Sequence, residues 1–247
     1  MDLNAILNKE QAEAVQRTEG PLLVLAGAGS GKTRVLTHRI AYLIQEKGVF
    51  PSHILAITFT NKAAAEMRER VEKLLPGEGN SVWVSTFHSM CLRILRREIE
   101  HLGYDRDFSI YDTDDQRTLM RQILKELKID SKTLRERAVL SQISQTKNRG
   151  GNAEDYLSES DGDYLSKLIY QCFKRYEEKL KENNALDFDD LLLKTLELFE
   201  RFPEVLLQYQ ERFRYILVDE YQDTNDVQFR LIYSLAKKYS NICVVGD

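Results

Sequence analysis

One stretch of this sequence decides the fold, and it reads Ala26-Gly27-Ala28-Gly29-Ser30-Gly31-Lys32-Thr33. It follows an apolar run at 21–25 and precedes a segment with helical periodicity at 34–45. The order of strand, glycine-rich turn and helix is the context in which a phosphate-binding loop occurs. Glycines let the backbone curve around an anion with several N–H groups pointing inward, and the helix adds the partial positive charge of its N-terminus. The stretch therefore predicts a site for the phosphates of a nucleotide.

The last residues of this stretch carry the predicted chemistry. We expect Lys32 to reach the β- and γ-phosphates and the hydroxyl of Thr33 to ligate Mg²⁺. Ala26 stands where the strict pattern has glycine, a small change because Gly27 and Gly29 still supply flexible backbone. The competing interpretation is a glycine-rich turn with an incidental lysine, and the Gly-Lys-Thr at the helix start disfavours it.

Composition narrows the class of protein. The 247 residues are 43% hydrophobic and 30% charged, a globular composition with enough length for one or two domains. A net charge of −4 gives no general attraction to nucleic acid, so any nucleic-acid interpretation must rest on local motifs. The three cysteines are far apart and form no CxxC, which predicts neither a disulfide nor a zinc site. Because the first residues lack a signal-peptide pattern and no apolar run approaches a membrane span, we expect a cytoplasmic protein.

Apolar runs that predict strands alternate with helical segments in the two outer parts of the chain. Besides the run before the glycine-rich loop, they lie at 54–59, 82–85, 215–218 and 241–247. This alternation predicts an α/β fold, a parallel sheet with helices on both faces, in which ligands bind beyond the carboxyl ends of the strands. The glycine-rich loop, Thr58-Phe59-Thr60 and Thr86-Phe87-His88 all fall at that edge. We therefore expect them to face one crevice.

The middle of the chain, 111–183, has a different sequence pattern. Helical stretches rich in Lys, Arg and Glu replace the apolar strand runs. They predict an all-helical subdomain, 111–183, inserted into an α/β domain made of 1–110 and 184–247. The basic residues of the insert have two interpretations, a lining for a phosphate backbone or a solvated helix face, and the second is commoner. These residues are Arg135, Arg137, Lys147 and Arg149.

Three acids follow the insert, Asp187, Asp189 and Asp190. A metal site is one interpretation. Acids in the first turn of a helix, which the helix dipole favours, account for most of the pattern, with Asp187 as the N-cap.

A second acidic pair stands at the carboxyl end of the strand predicted at 215–218. A nucleotide hydrolase needs one acid there for Mg²⁺ and a second to orient and deprotonate the attacking water. Capping of a helix predicted at 227–238 accounts for Asp223 and Thr224, but not for an acidic pair directly on the strand end. We therefore predict that Asp219 and Glu220 are the hydrolytic partners of the phosphate loop.

Seven stretches of this sequence together resemble the UvrD/Rep/PcrA superfamily 1 DNA helicases, and the PcrA-like enzymes most closely. They are Leu3-Asn4 with Gln11, AGAGSGKT at 26–33, ITFTNKAA at 57–64, STFHSMC at 85–91, LDFDDLL at 186–192, VDEYQDTN at 218–225 and VVGD at 244–247. The resemblance covers essentially the whole chain, and seven stretches in the right order make chance resemblance negligible. It implies a RecA-like P-loop NTPase domain that carries a helical insert. The domain is implied to bind ATP, Mg²⁺ and single-stranded DNA.

The resemblance also implies roles for individual residues. Gln11 would read the adenine, although the sequence alone favours a solvated helix residue, and Arg34 would pack against the base. A DNA base would stack on Phe59, for which core packing at the strand end is the other interpretation. The implied cofactor-binding set is Gln11, Ala26, Gly27, Ala28, Gly29, Ser30, Gly31, Lys32, Thr33 and Arg34; the catalytic set is Lys32, Asp219 and Glu220; the Mg²⁺ ligands are Thr33 and Asp219; the DNA-facing set is Phe59, Thr60, Asn61, Thr86 and His88.

At the level of the whole protein, the resemblance implies a 3′-to-5′ DNA helicase of repair or replication. Its expected partners are single-stranded DNA, DNA junctions and other repair or transcription proteins, and no membrane. Two alternatives stay open, the motor part of an AddA- or RecB-type helicase–nuclease and a module that only binds nucleotide or DNA.

In the family, the motif at 244–247 continues with a glutamine and an aromatic segment, and a second RecA-like domain supplies arginines to the ATP site. Arginine fingers contribute about 10³–10⁵ in rate in related enzymes. We therefore expect this chain by itself to have little or no ATPase activity and not to unwind DNA.

Overall fold

The computed structural model describes residues 3–27, 29–130 and 132–247, with the side chain of Asn4 excepted. Over these residues the strands are β1 Leu22–Leu25, β2 Ile54–Thr58, β3 Trp83–Thr86, β4 Ser109–Tyr111, β5 Ala185–Asp187, β6 Tyr215–Val218 and β7 Ile242–Gly246. The α-helices are α1 Lys9–Gln16, α2 Lys32–Gln45, α3 Asn61–Leu74, α4 Phe87–Glu98, α5 Thr113–Glu126, α6 Glu136–Asn148, α7 Ala153–Glu159, α8 Tyr164–Glu182, α9 Phe188–Arg201, α10 Pro203–Arg212 and α11 Asp226–Ala236.

The chain divides into two compact units. The first contains 1–90, 202–224 and 232–247, and the second contains 91–201 and 225–231. The predicted insert, 111–183, lies wholly within the residues of the second unit, which also takes in the segments on either side of it. The division into a domain of 1–110 with 184–247 and an insert of 111–183 stays a prediction.

The first unit is built on a parallel sheet in the order β1-β7-β6-β2-β3. All residues of β2 are buried, so both faces of this strand are covered, as its uninterrupted apolar sequence predicts. The strands end in register, with Leu25 opposite Gly246 and Thr58 opposite Thr86. The predicted α/β fold of the RecA-like type, with a parallel sheet and helices, is confirmed.

The edge strand β1 differs from the inner strands. Leu23 and Leu25 are 56% and 69% exposed, whereas Leu22 and Val24 are half-buried. Only one face of β1 thus reaches the main core of the unit, which lies between the sheet and helices α2 and α3. This core is formed mainly by Leu36, Ile40, Leu43, Ile54, Ala56, Met67, Val71, Val84, Leu217 and Val245.

The second unit is mainly helical, as the sequence predicts for 111–183. Helices α5, α6, α7 and α8 share one apolar core that includes Leu119, Ile123, Val139, Ile143, Tyr156, Phe173 and Tyr176. Two short strands that the sequence analysis did not predict, β4 and β5, form a parallel pair within this unit. The predicted capping by Asp187 is confirmed, because its carboxylate accepts a hydrogen bond of 2.8 Å from the N–H of Asp190.

Lys147 contradicts both interpretations of the basic residues in the insert. Its side chain is fully buried, and its ammonium lies 2.8 Å from Oδ2 of Asp187 and 2.8 Å from Oδ1 of Asp190. Burial by itself lowers the pKa of Lys147, but the two carboxylates outweigh burial and the net pKa is raised. Lys147 therefore pairs with acids of the LDFDD stretch and is shielded from solvent, so it cannot form part of a solvated helix face. Arg135, Arg137 and Arg149 are exposed, as a solvated face requires.

The start of α11 also differs from the expectation. Asp223 belongs to a short 3₁₀ turn, and Thr224 follows that turn. The helix is capped by Asn225, whose Oδ1 accepts a hydrogen bond of 2.8 Å from the N–H of Gln228. Asn225 completes a reciprocal pair, since its own N–H donates to Oε1 of Gln228 at 3.1 Å.

No helix in the described part of the chain has the length and apolar character needed to cross a membrane.

The burial of Lys147 predicts a large stability effect. Replacing it in Lys147→Ala leaves two acids buried without a counter-charge, which we expect to lower the free energy of unfolding by about 3–5 kcal/mol. The measurement is urea unfolding of the 247-residue chain. The matched control is Lys174→Ala on α8, an exposed lysine 3.9 Å from Glu154, for which we expect a change within about 0.5 kcal/mol. Equal effects of the two substitutions would contradict the structural role.

Glu177 on α8 predicts a pH dependence of stability. Burial raises its pKa from 4.5 to about 7, and the nearby Lys147 only partly offsets this. Between pH 4.5 and about pH 7, the folded chain holds a proton that the unfolded chain releases. The free energy of unfolding therefore falls by about 1–3 kcal/mol as pH rises across this range, and it stays level at higher pH.

Urea unfolding between about pH 5 and pH 8 measures this slope. Glu177→Gln is expected to flatten it, whereas Glu159→Gln, an exposed glutamate of α7, is expected to retain it. A slope that survives in Glu177→Gln would assign the pH dependence to another group.

Candidate active site

The glycine-rich loop connects β1 to α2 at the carboxyl edge of the sheet. The N–H of Ala26 donates to the carbonyl of Gly246 at 3.0 Å, which extends the pairing of β1 with β7 by one residue. Gly29 and Gly31 have φ of 77° and 87°, the left-handed conformation that glycine adopts without strain. Helix α2 begins at Lys32, two residues before the predicted start. Ala28, part of the predicted cofactor-binding set, lies outside the described residues.

The loop has room for an anion. A Cβ added to Gly27 or Gly29 would meet no atom within 4 Å, so the space beside the backbone is open. The first N–H groups of α2 have no partner inside the helix, and the helix begins at this loop. This backbone arrangement fits the phosphates of a nucleotide.

Lys32 lies among carboxylates from the ends of two neighbouring strands. Its side chain is 9% exposed, and its ammonium contacts Oδ1 of Asp247 and lies 3.8 Å from Oε2 of Glu220. The hydrogen bond to Asp247 is the main cause that raises the pKa of Lys32, and Glu220 and Asp219 raise it further. The lysine is therefore held in its charged form beside the glycine-rich loop.

Thr33 and Asp219 come together at the predicted metal position. The hydroxyl of Thr33 donates to Oδ2 of Asp219 at 3.3 Å, and Asp219 is 5% exposed. Burial raises the pKa of Asp219, while hydrogen bonds from the N–H of Glu220 and from Thr33 lower it. A hydroxyl and a carboxylate at a phosphate loop are the oxygen ligands that Mg²⁺ takes beside nucleotide phosphates, so the residues present fit an ATP–Mg²⁺ complex.

Glu220 is oriented by a residue that the sequence analysis did not single out. The side-chain amide of Gln222 donates to Oε2 of Glu220 at 2.7 Å, and its Oε1 accepts a hydrogen bond of 3.3 Å from the N–H of Asp247. The side chain of Glu220 is 43% exposed, so its carboxylate is accessible to water.

Gln222 and Asp247 are the site residues that sequence reasoning missed as individuals. For Asp247 a signal existed, because it follows β7, and the carboxyl ends of parallel strands share one edge. For Gln222, no rule of sequence spacing predicted a role in the site.

Gln11 contacts the phosphate loop directly. Its amide Nε2 donates to the carbonyl of Ser30 at 2.9 Å, and its Oε1 accepts from the N–H of Asn8 at 3.1 Å. Asn8 in turn caps α1 by accepting from the N–H of Gln11. The interpretation of Gln11 as a merely solvated helix residue is wrong, and its reading of adenine stays a prediction.

Arg34 follows the loop on α2 and is exposed. Its guanidinium donates to the carbonyl of Ile6 at 2.8 Å, just before α1. It therefore lies on the same side of the loop as Gln11, and its packing against a base stays a prediction.

The predicted DNA-facing residues lie at the ends of β2 and β3, which are neighbours in the sheet. Thr60 caps α3 by accepting from the N–H of Ala63 at 3.1 Å, and Thr86 accepts from the N–H of Ser89 at 3.2 Å, so both hydroxyls have local structural roles. Asn61 is the exposed first residue of α3, and His88 is half-buried in the first turn of α4.

The contacts of Phe59 bear out its packing, and its role in stacking a DNA base stays a prediction. Its ring meets the buried ring of Phe87 edge-on, with centroids 5.5 Å apart and an interplanar angle of 64°. It is nevertheless only half-buried. One part of the ring is thus packed, and the remainder is available for a stacking contact.

A parallel sheet that carries a phosphate loop after one strand and an acidic pair after another defines a P-loop nucleotide hydrolase fold. The sequence model of one family, described as the UvrD/REP helicase N-terminal domain, matches residues 7–247. The chain belongs to this family.

Curated relatives agree with this assignment. The chain is 54% identical over 248 residues to a Staphylococcus aureus strain Mu50 protein named ATP-dependent DNA helicase PcrA, covering 99% of this chain and 34% of the relative. It is also 54% identical over 241 residues to the Staphylococcus epidermidis protein of the same name, covering 98% and 33%. The chain thus spans about a third of the length of the relatives it matches.

The position of Lys32 predicts its effect on nucleotide binding. In Lys32→Ala the phosphates lose a charge-assisted partner and meet three carboxylates without a counter-charge, so we expect the affinity for ATP–Mg²⁺ to fall about 10–100-fold. Isothermal titration of the 247-residue chain measures this affinity. Lys73→Ala, at an exposed lysine of α3 paired with Glu69, is the control and is expected to leave the affinity unchanged. Equal affinity in Lys32→Ala and the unaltered chain would refute the assignment.

Proposed function

We propose that this chain is the N-terminal motor part of an ATP-dependent 3′-to-5′ DNA helicase. The observation that carries the proposal is the convergence of Lys32, Thr33, Asp219 and Glu220 at one edge of the sheet, in a chain of the UvrD/REP family. The relatives at 54% identity are named ATP-dependent DNA helicases. Since the chain spans about a third of their length, the activity proposed belongs to a longer protein that includes it.

The proposed ATP site uses the residues of the loop in distinct roles. Backbone N–H groups of the loop after Ala26 and of the first turn of α2 cradle the phosphates, and Lys32 neutralises their charge as it develops toward the leaving group. Thr33 and Asp219 would hold Mg²⁺, which would supply positive charge against the phosphates. Glu220, held by Gln222 and open to solvent, orients the attacking water and takes its proton.

The base of the nucleotide is proposed to lie beside Gln11. The amide of Gln11 uses one N–H on Ser30 and keeps a second N–H and a lone pair of Oε1. A primary amide of this kind pairs with N6–H and N7 of adenine, which supports ATP over other nucleotides. The exposed guanidinium of Arg34 supplies a planar surface on the same side.

Single-stranded DNA is the proposed second ligand. Phe59, Thr60, Asn61, Thr86 and His88 share the ends of β2 and β3, and the free part of the Phe59 ring offers a platform on which any base can stack. Stacking holds a strand without reading its sequence, as a motor that moves along DNA requires. DNA junctions, repair or transcription proteins as partners, a role in DNA repair, and a cytoplasmic location complete the proposal.

The test is ATP hydrolysis by the full-length protein with and without a single-stranded oligonucleotide. We expect the strand to accelerate hydrolysis, and Glu220→Gln to lower the rate by about 10²–10⁴ while ATP binding remains. Glu204→Gln, an exposed glutamate of α10, is the control for the same chemical change. A rate of ATP hydrolysis that does not change when DNA is added would contradict the motor assignment. Binding of ATP or DNA without ATP hydrolysis would favour a binding module. Cleavage of the DNA would favour a helicase–nuclease.

The same assay tests the DNA-facing residues. Phe59→Ala removes the platform, so the concentration of DNA needed for half-maximal stimulation is expected to rise about 5–100-fold. The control is Phe50→Ala, which removes a 68% exposed ring elsewhere in the same unit. An unchanged requirement for DNA in Phe59→Ala would leave core packing as the role of this ring.

A further inference from the structure

Helix α1, which carries Gln11, packs against α2. The apolar part of this contact is a cluster of Leu3, Leu7, Ala12, Val15 and Val35, against which Ala14 and Tyr42 pack; Val35 and Tyr42 belong to α2. Such a cluster is far smaller than the core that packs α2 against the sheet. A short helix held by few apolar side chains needs another contact to fix its direction.

Arg39 of α2 supplies that contact. It is 2% exposed, and its guanidinium donates to three carbonyls at the carboxyl end of α1, those of Ala14 at 2.6 Å, Arg17, and Thr18 at 3.1 Å. Ala14 lies in the last turn of α1, Arg17 is its C-cap and Thr18 follows the cap, so the guanidinium lies at the negative end of the helix dipole.

The environment of Arg39 is unusual for a buried arginine. Over the described residues it forms no ion pair with a carboxylate, and backbone carbonyls alone accept its hydrogen bonds. Buried arginines are normally paired with acids. An arginine that donates to three carbonyls at and just beyond the end of another helix is suited to fixing the position of that helix, because its planar donors match only one arrangement of acceptors.

The two ends of α1 are thus bonded to two places in the segment formed by the phosphate loop and α2. At its amino end, Gln11 bonds to Ser30 of the phosphate loop, and at its carboxyl end α1 is held by Arg39, seven residues beyond Lys32 on α2. An eight-residue helix is about 12 Å long and rigid over that distance. A shift of its carboxyl end therefore moves the amide of Gln11.

We propose that Arg39 is a positioning residue for base recognition: by fixing the carboxyl end of α1, it sets the position of the Gln11 amide beside the phosphate loop. The inference rests on the proposed function, in which Gln11 reads the adenine of ATP. In the described part of the chain, the hydrogen bonds of Arg39 go to residues 14, 17 and 18 and not to the loop, so we expect its effect to fall on the base and not on the phosphates.

The test compares three ligands in the presence of Mg²⁺, namely ATP, GTP and inorganic tripolyphosphate, by isothermal titration of the full 247-residue chain. In the unaltered chain we expect ATP to bind about tenfold more tightly than GTP, as one or two hydrogen bonds to the base allow. In Arg39→Met this preference falls to less than about twofold, while the affinity for tripolyphosphate stays within about twofold. Arg70→Met, the same chemical change at an exposed arginine of α3, keeps the preference.

A preference for ATP that persists in Arg39→Met overturns the inference. So does a parallel loss of tripolyphosphate affinity, which would mean that Arg39 supports the whole site. If Arg39→Met does not fold, Arg39→Lys decides, because an ammonium cannot reach all three carbonyls. A reduced preference with intact tripolyphosphate binding then supports the inference, and an unchanged preference overturns it.

Gln11→Ala separates this inference from the proposed function. It is expected to lose the preference for ATP, and adding Arg39→Met to it is expected to change nothing further, because both substitutions remove one interaction. If the unaltered chain shows no preference, base reading by Gln11 fails. If Gln11→Ala loses the preference and Arg39→Met keeps it, only the role of Arg39 fails.

Discussion

The site depends on one ammonium group, that of Lys32, placed among the carboxylates of Asp219, Glu220 and Asp247. Three acids at one edge of a sheet repel one another, and burial of Asp219 increases the cost of its charge. The lysine offsets this repulsion and keeps the acids close to the phosphate loop. In the proposed ATP site, a nucleotide would compete with the acids for a cation already in place, so binding would require little rearrangement.

This arrangement follows from the order of the strands. In the sequence, the acidic pair comes almost two hundred positions after the loop, yet β7 alone separates β6 from β1. Parallel strands in register bring their carboxyl ends to one edge, so any residue that directly follows β1, β6 or β7 reaches the same crevice. The core beneath β2, β6 and α2 fixes this register, and apolar packing far from the loop thereby determines the geometry of the site.

The sequence was sufficient for the elements that depend on local pattern: the strand runs, the glycine-rich turn and the acids at a strand end. It was insufficient where the role of a residue depends on a partner that is distant in the sequence. Lys32 and Lys147 are both buried lysines, but Lys32 stands in a motif, whereas Lys147 stands in an ordinary charged helix and meets Asp187 only in the folded chain. The contacts of Gln222 and Arg39 were hidden for the same reason. Short strands such as β4 carry too few residues for a period-2 pattern.

The backbone of Glu220 has a consequence for how this position can vary. Glu220 has φ of 48°, in the left-handed region where a residue with a Cβ costs about 1 kcal/mol or more relative to glycine. Random substitution combined with selection for stability alone would enrich glycine or asparagine at this position. A library screened separately for thermal resistance and for catalysis should thus diverge most sharply at this single codon, where the backbone and the chemistry favour different amino acids.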